Sequence, residues 1–284
     1  VEEGGGGSLT VCGRIRAVVP PDKGIFLPVS YRLHPNLCGV VSELAYDSRL
    51  TAHHSTAHRT LRPAVRGEQH DDDMLSDYPN IRDIIPEDGS GLVAIQVDHE
   101  FPTNQVNHEE AAIVKKIAEE ILARSVLVTV NDVTGEETTR RLEWEDMLFV
   151  SPFNLQVQKL KSVLGPQARV GTVDKFQGQE ASVVIVSMAR TSLEDDDHDS
   201  LDHSDTGRQG GGAPPQSSVS SKALSFILDI RRLNVALSRA QCLSVVVLSP
   251  KLAESAVASL EQMRSVSFAC RLLECQSTPR HQKK

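Results

Sequence analysis

Residues 169–188 read Arg-Val-Gly-Thr-Val-Asp-Lys-Phe-Gln-Gly-Gln-Glu-Ala-Ser-Val-Val-Ile-Val-Ser-Met. Two strand-like segments, Arg169–Val173 and Val183–Met188, flank a polar turn. The second is apolar almost throughout. A strand that is buried on both faces has that pattern, and such strands belong to parallel sheets covered by helices. Further short apolar runs predict strands at Ile25–Val29, Gly91–Val97, Met147–Val150 and Cys242–Leu248. Helical spacing separates them. Pro35 opens a helix with Leu37, Val40, Val41 and Leu44 on one side. His108–Leu122 repeats Ala111, Ile113, Val114, Ile117 and Ile121, with Glu109 and Glu110 in the first turn, where the helix dipole favours acids. Phe153–Leu164 is amphipathic, Leu224–Ala240 is helical, and Leu252–Leu273 holds one or two closing helices. Strands that alternate with helices predict an α/β fold with a mostly parallel sheet and right-handed crossovers.

The remaining segments bound the domain. Val1–Ser8 is Gly-rich, and residues 1–24 are expected to be a flexible or partial N-terminal segment, 25–275 the α/β domain, and 276–284 a tail. Residues 51–90, with His53, His54, His58, His70, the Asp71–Asp73 run and several prolines, read as an irregular excursion. Residues 193–221 turn from acidic to Gly, Pro and Ser, a composition that buries too little apolar surface to offset ordering entropy, so a disordered insertion is expected. The 284 residues carry a formal net charge of −8, which argues against a uniformly basic nucleic-acid binder. Five scattered cysteines form no CxxC pair, as expected of reduced thiols in a cytoplasmic protein. No apolar run is long enough to predict a membrane span.

Four strings carry the chemistry: Ser30-Tyr-Arg-Leu-His-Pro35, Ser151-Pro-Phe-Asn-Leu-Gln156, Gly171-Thr-Val-Asp-Lys-Phe-Gln-Gly-Gln-Glu180 and Arg231-Arg-Leu-Asn-Val-Ala-Leu-Ser-Arg-Ala240. Each alone is ambiguous. Arg32 is as readily a surface ion pair as a catalytic group, Gly178 as readily a turn residue, and Arg231, Arg232 and Arg239 as readily a solvated helix face. In this order and spacing, the strings resemble the later motifs of superfamily 1 helicases, in the branch that contains the nonsense-mediated-decay helicase. The tail Glu261–Glu274 adds a resemblance to bacterial helicases of this branch fused to a RecB-like nuclease.

The resemblance implies a RecA-like P-loop NTPase fold, of which this chain is the second domain. It implies that Arg32 and Arg239 reach across a cleft to ATP, where guanidinium groups stabilise charge on the transferring phosphoryl group. Gly178, Gln179, Glu180 and Arg231 are then the nucleotide-side residues, with Glu180 an acceptor for ribose hydroxyls. Ser151, Pro152, Phe153, Asn154, Gln156, Thr172, Asp174, Lys175 and Gln177 are the nucleic-acid side, facing single-stranded DNA or RNA. Ser151, Phe153 and Ser238 stand where Thr, Tyr and Thr are more usual. No GxxxxGK[ST] string and no Asp-Glu pair after an apolar strand occur. ATP and Mg²⁺ are therefore expected to be held mainly by an N-terminal RecA-like P-loop domain, in cis or as a separate chain. The alternative reading is a non-catalytic module that binds nucleic acid or a partner. The histidines of the excursion are expected to be a solvated loop with no metal, Trp144 a packing anchor, and Tyr31 a support for the Arg32 guanidinium.

Overall fold

The computed structural model describes residues 25–64, 84–191, 230–254 and 260–274. Its centre is a five-stranded sheet, parallel at every pairing. In chain order the strands are β1 (Val29–Ser30), β2 (Thr51–Ala52), β3 (Arg59–Pro63), β4 (Gly91–Gln96), β5 (Ser125–Val130), β6 (Glu137–Arg141), β7 (Met147–Val150), β8 (Arg169–Gly171), β9 (Ala181–Ser187) and β10 (Ala240–Leu248). The central sheet runs β4-β10-β9-β7-β8, while β1-β2 and β3-β5-β6 form two smaller sheets. The helices are α1 (Pro35–Ala45), α2 (His108–Arg124), α3 (Asn154–Leu164), α4 (Ile230–Leu237) and α5 (Leu260–Glu274).

The apolar run on β9 places alternate residues in two cores. Val184 and Val186 join Leu37, Val41, Leu233, Leu237 and Phe268 beneath α1, α4 and α5. Val183 and Ile185 join Ala111, Val114, Ile117, Leu160 and Leu164 beneath α2 and α3. Successive side chains of a strand point to opposite faces, so an unbroken apolar run requires a helix layer on each. The helix starts are locally specified. The His34 ring nitrogen Nδ1 accepts the Asn36 N–H at 3.2 Å, with Pro35 at the first helical position. Asn107 Oδ1 accepts the Glu110 N–H at 2.6 Å.

Several expectations are corrected. Ile25–Val29 is not a strand: only Val29 and Ser30 pair, and Ile25 and Leu27 remain 92% and 76% exposed, with nothing to pack against. Arg169–Val173 ends as a strand at Gly171, because Val173 and Phe176 turn inward in a 3₁₀ segment to reach the first core. The described part of Leu224–Ala240 is helical only to Leu237, and Ala240 already begins β10. The excursion at 51–90 is not irregular throughout: within its described residues β3 pairs antiparallel with β5 and Leu61 is buried in the second core, while residues 65–83 lie outside the described residues. The β5–β6 hairpin is not marked in the sequence: every residue of β6 is exposed, and β5 buries the adjacent pair Leu127 and Val128, so neither strand shows a clean apolar alternation. The expected insertion at 193–221 lies outside the described residues.

Ile185 is 1% exposed at the centre of the sheet. Ile185→Ala should lower stability by about 2–5 kcal/mol through lost burial and a residual cavity, read as a lower urea midpoint. The exposed turn residue Val133 should tolerate alanine within about 0.5 kcal/mol. Equal midpoints for the two variants would remove β9 from the core.

Candidate functional site

All five central strands are parallel, so their starts define one edge and their ends the opposite one. Ala181 and Ala240 are register partners at the start of β9 and β10. Glu180 and Arg239, one residue upstream of each, are therefore neighbours, and the Ala181 N–H donates to the Arg239 carbonyl at 3.1 Å. The loop after β1 reaches the same edge, where the His34 N–H donates to the Gln241 carbonyl at 2.9 Å. This brings Arg32 in from far along the chain. Its Nε donates to Glu180 Oε2 at 2.8 Å and its NH1 to the Ser238 carbonyl at 3.1 Å. Arg239 is held in a similar way: Nε donates to the Val235 carbonyl at 3.1 Å and NH1 to the Gln179 carbonyl at 3.4 Å. Among the described residues, neither guanidinium has a partner at NH2. Glu180 Oε1 accepts from Gln241 Nε2 at 2.8 Å.

The electrostatics follow from this packing. Burial and the like charge of Arg32 lower the pKa of Arg239. The hydrogen bond from Arg32 outweighs partial burial and holds the Glu180 carboxyl below its ordinary value of 4.5, with Arg59 adding a favourable field. Two tethered cations, a third nearby and one carboxylate make a site suited to an anion. Arg59, which opens β3, was not among the sequence candidates: it lies in the excursion, away from every motif. Arg231 is the second residue of α4, and Arg239 lies two residues beyond its end. Two turn residues, Ser238 and Arg239, separate the end of α4 from β10. Gly178 has φ +82°, which favours glycine, and a Cβ there would meet nothing within 4 Å. Its backbone conformation alone therefore favours glycine, and the space beside its Cα is open. Tyr31 does not support Arg32 as expected. It is 70% exposed and stacks on His53, ring centroids 4.4 Å apart.

The string 171–180 runs from one edge to the other. Thr172 follows the end of β8 and Glu180 precedes the start of β9. The seven residues of β9 put the edges about 20 Å apart. Ser151, Pro152, Phe153 and Asn154 lie at the far edge, beyond β7, together with Thr172. Asn154, Asp174, Gln177 and Gln179 are exposed, and Pro152, Phe153 and Thr172 partly so. The side chains of Ser151 and Gln156 are not available there, since both residues are fully buried. Gln156 instead accepts the Asn107 N–H at 2.9 Å and donates to the Asn107 carbonyl and to Ser187 Oγ. Its polar ends are consumed inside the fold, which overturns its reading as a strand contact. Lys175 folds back, with Nζ donating to the Val170 carbonyl at 2.9 Å, and Gln179 Oε1 accepts from Arg169.

The remaining candidates take structural places. His58 lies 2.8 Å from Asp132, and Trp144 packs against the second core. Burial pushes the Cys242 thiol up to about 12. Among the described residues no cluster of His, Cys, Asp and Glu could hold a metal ion, and no helix is long and apolar enough to cross a membrane.

A parallel five-stranded sheet flanked by helices, with the four motif strings at its two edges, defines the class, an α/β fold of the RecA-like P-loop type. A family model described as an AAA domain matches residues 13–251, and the chain belongs to that family. It is 26% identical over 225 residues to the DNA-binding protein SMUBP-2 of Mesocricetus auratus, covering 76% of this chain and 17% of that protein. It is 24% identical over 219 residues to the DNA polymerase alpha-associated DNA helicase A of Schizosaccharomyces pombe, covering 75% and 26%. An uncharacterized ATP-dependent helicase of Methanocaldococcus jannaschii matches at 24% over 228 residues, covering 78% and 26%. The chain spans about a quarter or less of the length of these relatives.

The Arg32–Glu180 pair has a pH signature. A carboxylate whose folded pKa is depressed adds stability that is complete above its unfolded value, and that is lost as pH falls through the folded value. An NMR titration of the Glu180 carboxyl should therefore give a midpoint below 4.5, rising towards 4.5 in Arg32→Ala. A wild-type midpoint at or above 4.5 would dissolve the pair.

Proposed function

We propose that this chain is the C-terminal motor half of an ATP-dependent helicase. In this reading Arg32 and Arg239 serve as arginine fingers towards an ATP–Mg²⁺ complex held mainly by an N-terminal RecA-like P-loop domain. The observation that carries the proposal is the paired clamp: each guanidinium is tethered through Nε and NH1 and keeps NH2 open. A tethered donor loses little freedom when it meets the phosphoryl charge that develops in the transition state. The net positive balance of the cluster fits a phosphate, and the bound nucleotide supplies the anion. The far edge, with Pro152–Asn154, Thr172 and Asp174, faces single-stranded DNA or RNA, and the 3₁₀ segment Val173–Phe176 links the two edges. The relationship to nuclease-fused helicases belongs to the same proposal and rests on the Glu261–Glu274 tail.

The test is steady-state ATP hydrolysis by the complete protein with single-stranded DNA. Arg32→Ala and Arg239→Ala should each lower kcat about 10²-fold or more, with a smaller effect on nucleotide affinity. Lys should rescue poorly, because it cannot keep two tethers and an open donor in one plane. Arg231→Ala should have a smaller effect. The 284-residue chain alone should hydrolyse ATP no faster than background. Unchanged kcat in both arginine variants favours the non-catalytic binding module.

A further inference from the structure

Glu110 is fully buried in the first turn of α2, and the mechanism above does not use it. Its Oε2 accepts from Ser187 Oγ at 2.6 Å and from the Ala189 N–H at 2.8 Å, and its Oε1 faces His99 Nε2 at 3.1 Å. The other His99 nitrogen, Nδ1, lies 2.7 Å from Thr191 Oγ1. Thr191 Oγ1 accepts the Thr103 N–H, and Thr103 Oγ1 donates to the Ala189 carbonyl. On the other side Gln156 Nε2 donates to Ser187 Oγ at 2.9 Å. With the His99 proton on Nε2, one direction of donation runs without conflict from Gln156 through Ser187 to Glu110, and from Thr191 through His99 to the same carboxyl. A buried network in which every member is satisfied is rigid and admits one arrangement.

What this network holds is the far edge of the sheet. Ser187 ends β9, and Ala189, just beyond it, is fully buried at φ +60°, a left-handed conformation that alanine rarely adopts. Gln156 sits in the first turn of α3, directly after Ser151–Asn154. We propose that Glu110, Ser187 and Gln156 are positioning residues. They fix the loop after β7 and the turn after β9 at one separation, and so preset the surface that meets a single strand of nucleic acid. This rests on the proposed strand-facing role of that edge. Gln156, first read as touching the strand, then acts on it through Ser187 and Asn107.

The experiment uses the 284-residue chain, with fluorescence anisotropy on an oligothymidylate and thermal unfolding measured together. Ser187→Ala removes only the joint between Gln156 and Glu110. It should weaken binding by about 3- to 30-fold, the range for a network residue without direct ligand contact. Glu110→Gln, isosteric but unable to accept on both sides, should do the same. Hydrogen exchange of the Ala189 and Asn107 amides should quicken in both. Ile121→Val, one methyl lost from the buried face of α2, is the matched control: its Tm falls but its affinity stays within about twofold, as a purely stabilising site does. Affinities in Ser187→Ala and Glu110→Gln that follow the control overturn the positioning role and leave the nucleic-acid reading standing. No binding by the unaltered chain overturns both.

Discussion

The parallel pairing of β9 with β10 is the constraint on which the rest depends. Their register sets Ala181 beside Ala240, so the residues just upstream, Glu180 and Arg239, share one edge although 59 positions separate them in sequence. The pair is also apolar on both faces, which demands helix layers on each side and buries the strands almost completely. A one-residue slip would turn Val184 and Val186 to the opposite core and move Glu180 away from Arg32. Packing and site geometry are therefore one requirement.

At the edge so defined, charge does what apolar burial cannot. Arg32 and Arg239 repel each other, and Arg239 is partly desolvated. Glu180 offsets part of that repulsion, while backbone carbonyls of Ser238, Val235 and Gln179 absorb the remaining tethers. The surplus positive charge stays at open NH2 groups, a preorganised arrangement for an anion. The ribose role first read for Glu180 now competes with its hold on Arg32 and Gln241, since both of its oxygens are engaged.

The opposite edge is built on a different principle. There the polar groups are buried and satisfied by one another, and the exposed surface is short loop. Glu110 looks on the sequence like an ordinary acid in a helix's first turn, favoured by the dipole, and that reading is correct as far as it goes. Only the packing of α2 across β9 shows that its carboxyl meets Ser187, Ala189 and His99, none of which belongs to a motif string.

By itself, the sequence determined the sheet type, the places of α1, α2 and α3, and the strings that carry the family resemblance, because period and turn chemistry are local. Through the resemblance it also singled out Arg32 and Arg239 for a phosphate and Glu180 for ribose hydroxyls. Their meeting was implied only by that resemblance, since contacts spanning 148 and 206 positions depend on strand order, which no local pattern encodes. The exposed β6 and the described part of the excursion were illegible for a related reason: β6 has no apolar alternation to read, and Leu61 finds its core only through pairing with β5. Gln156 shows the limit most plainly. A polar residue in a motif string reads as a ligand contact until the fold closes over it, and burial, a property of the whole chain, then assigns it to Asn107 and Ser187.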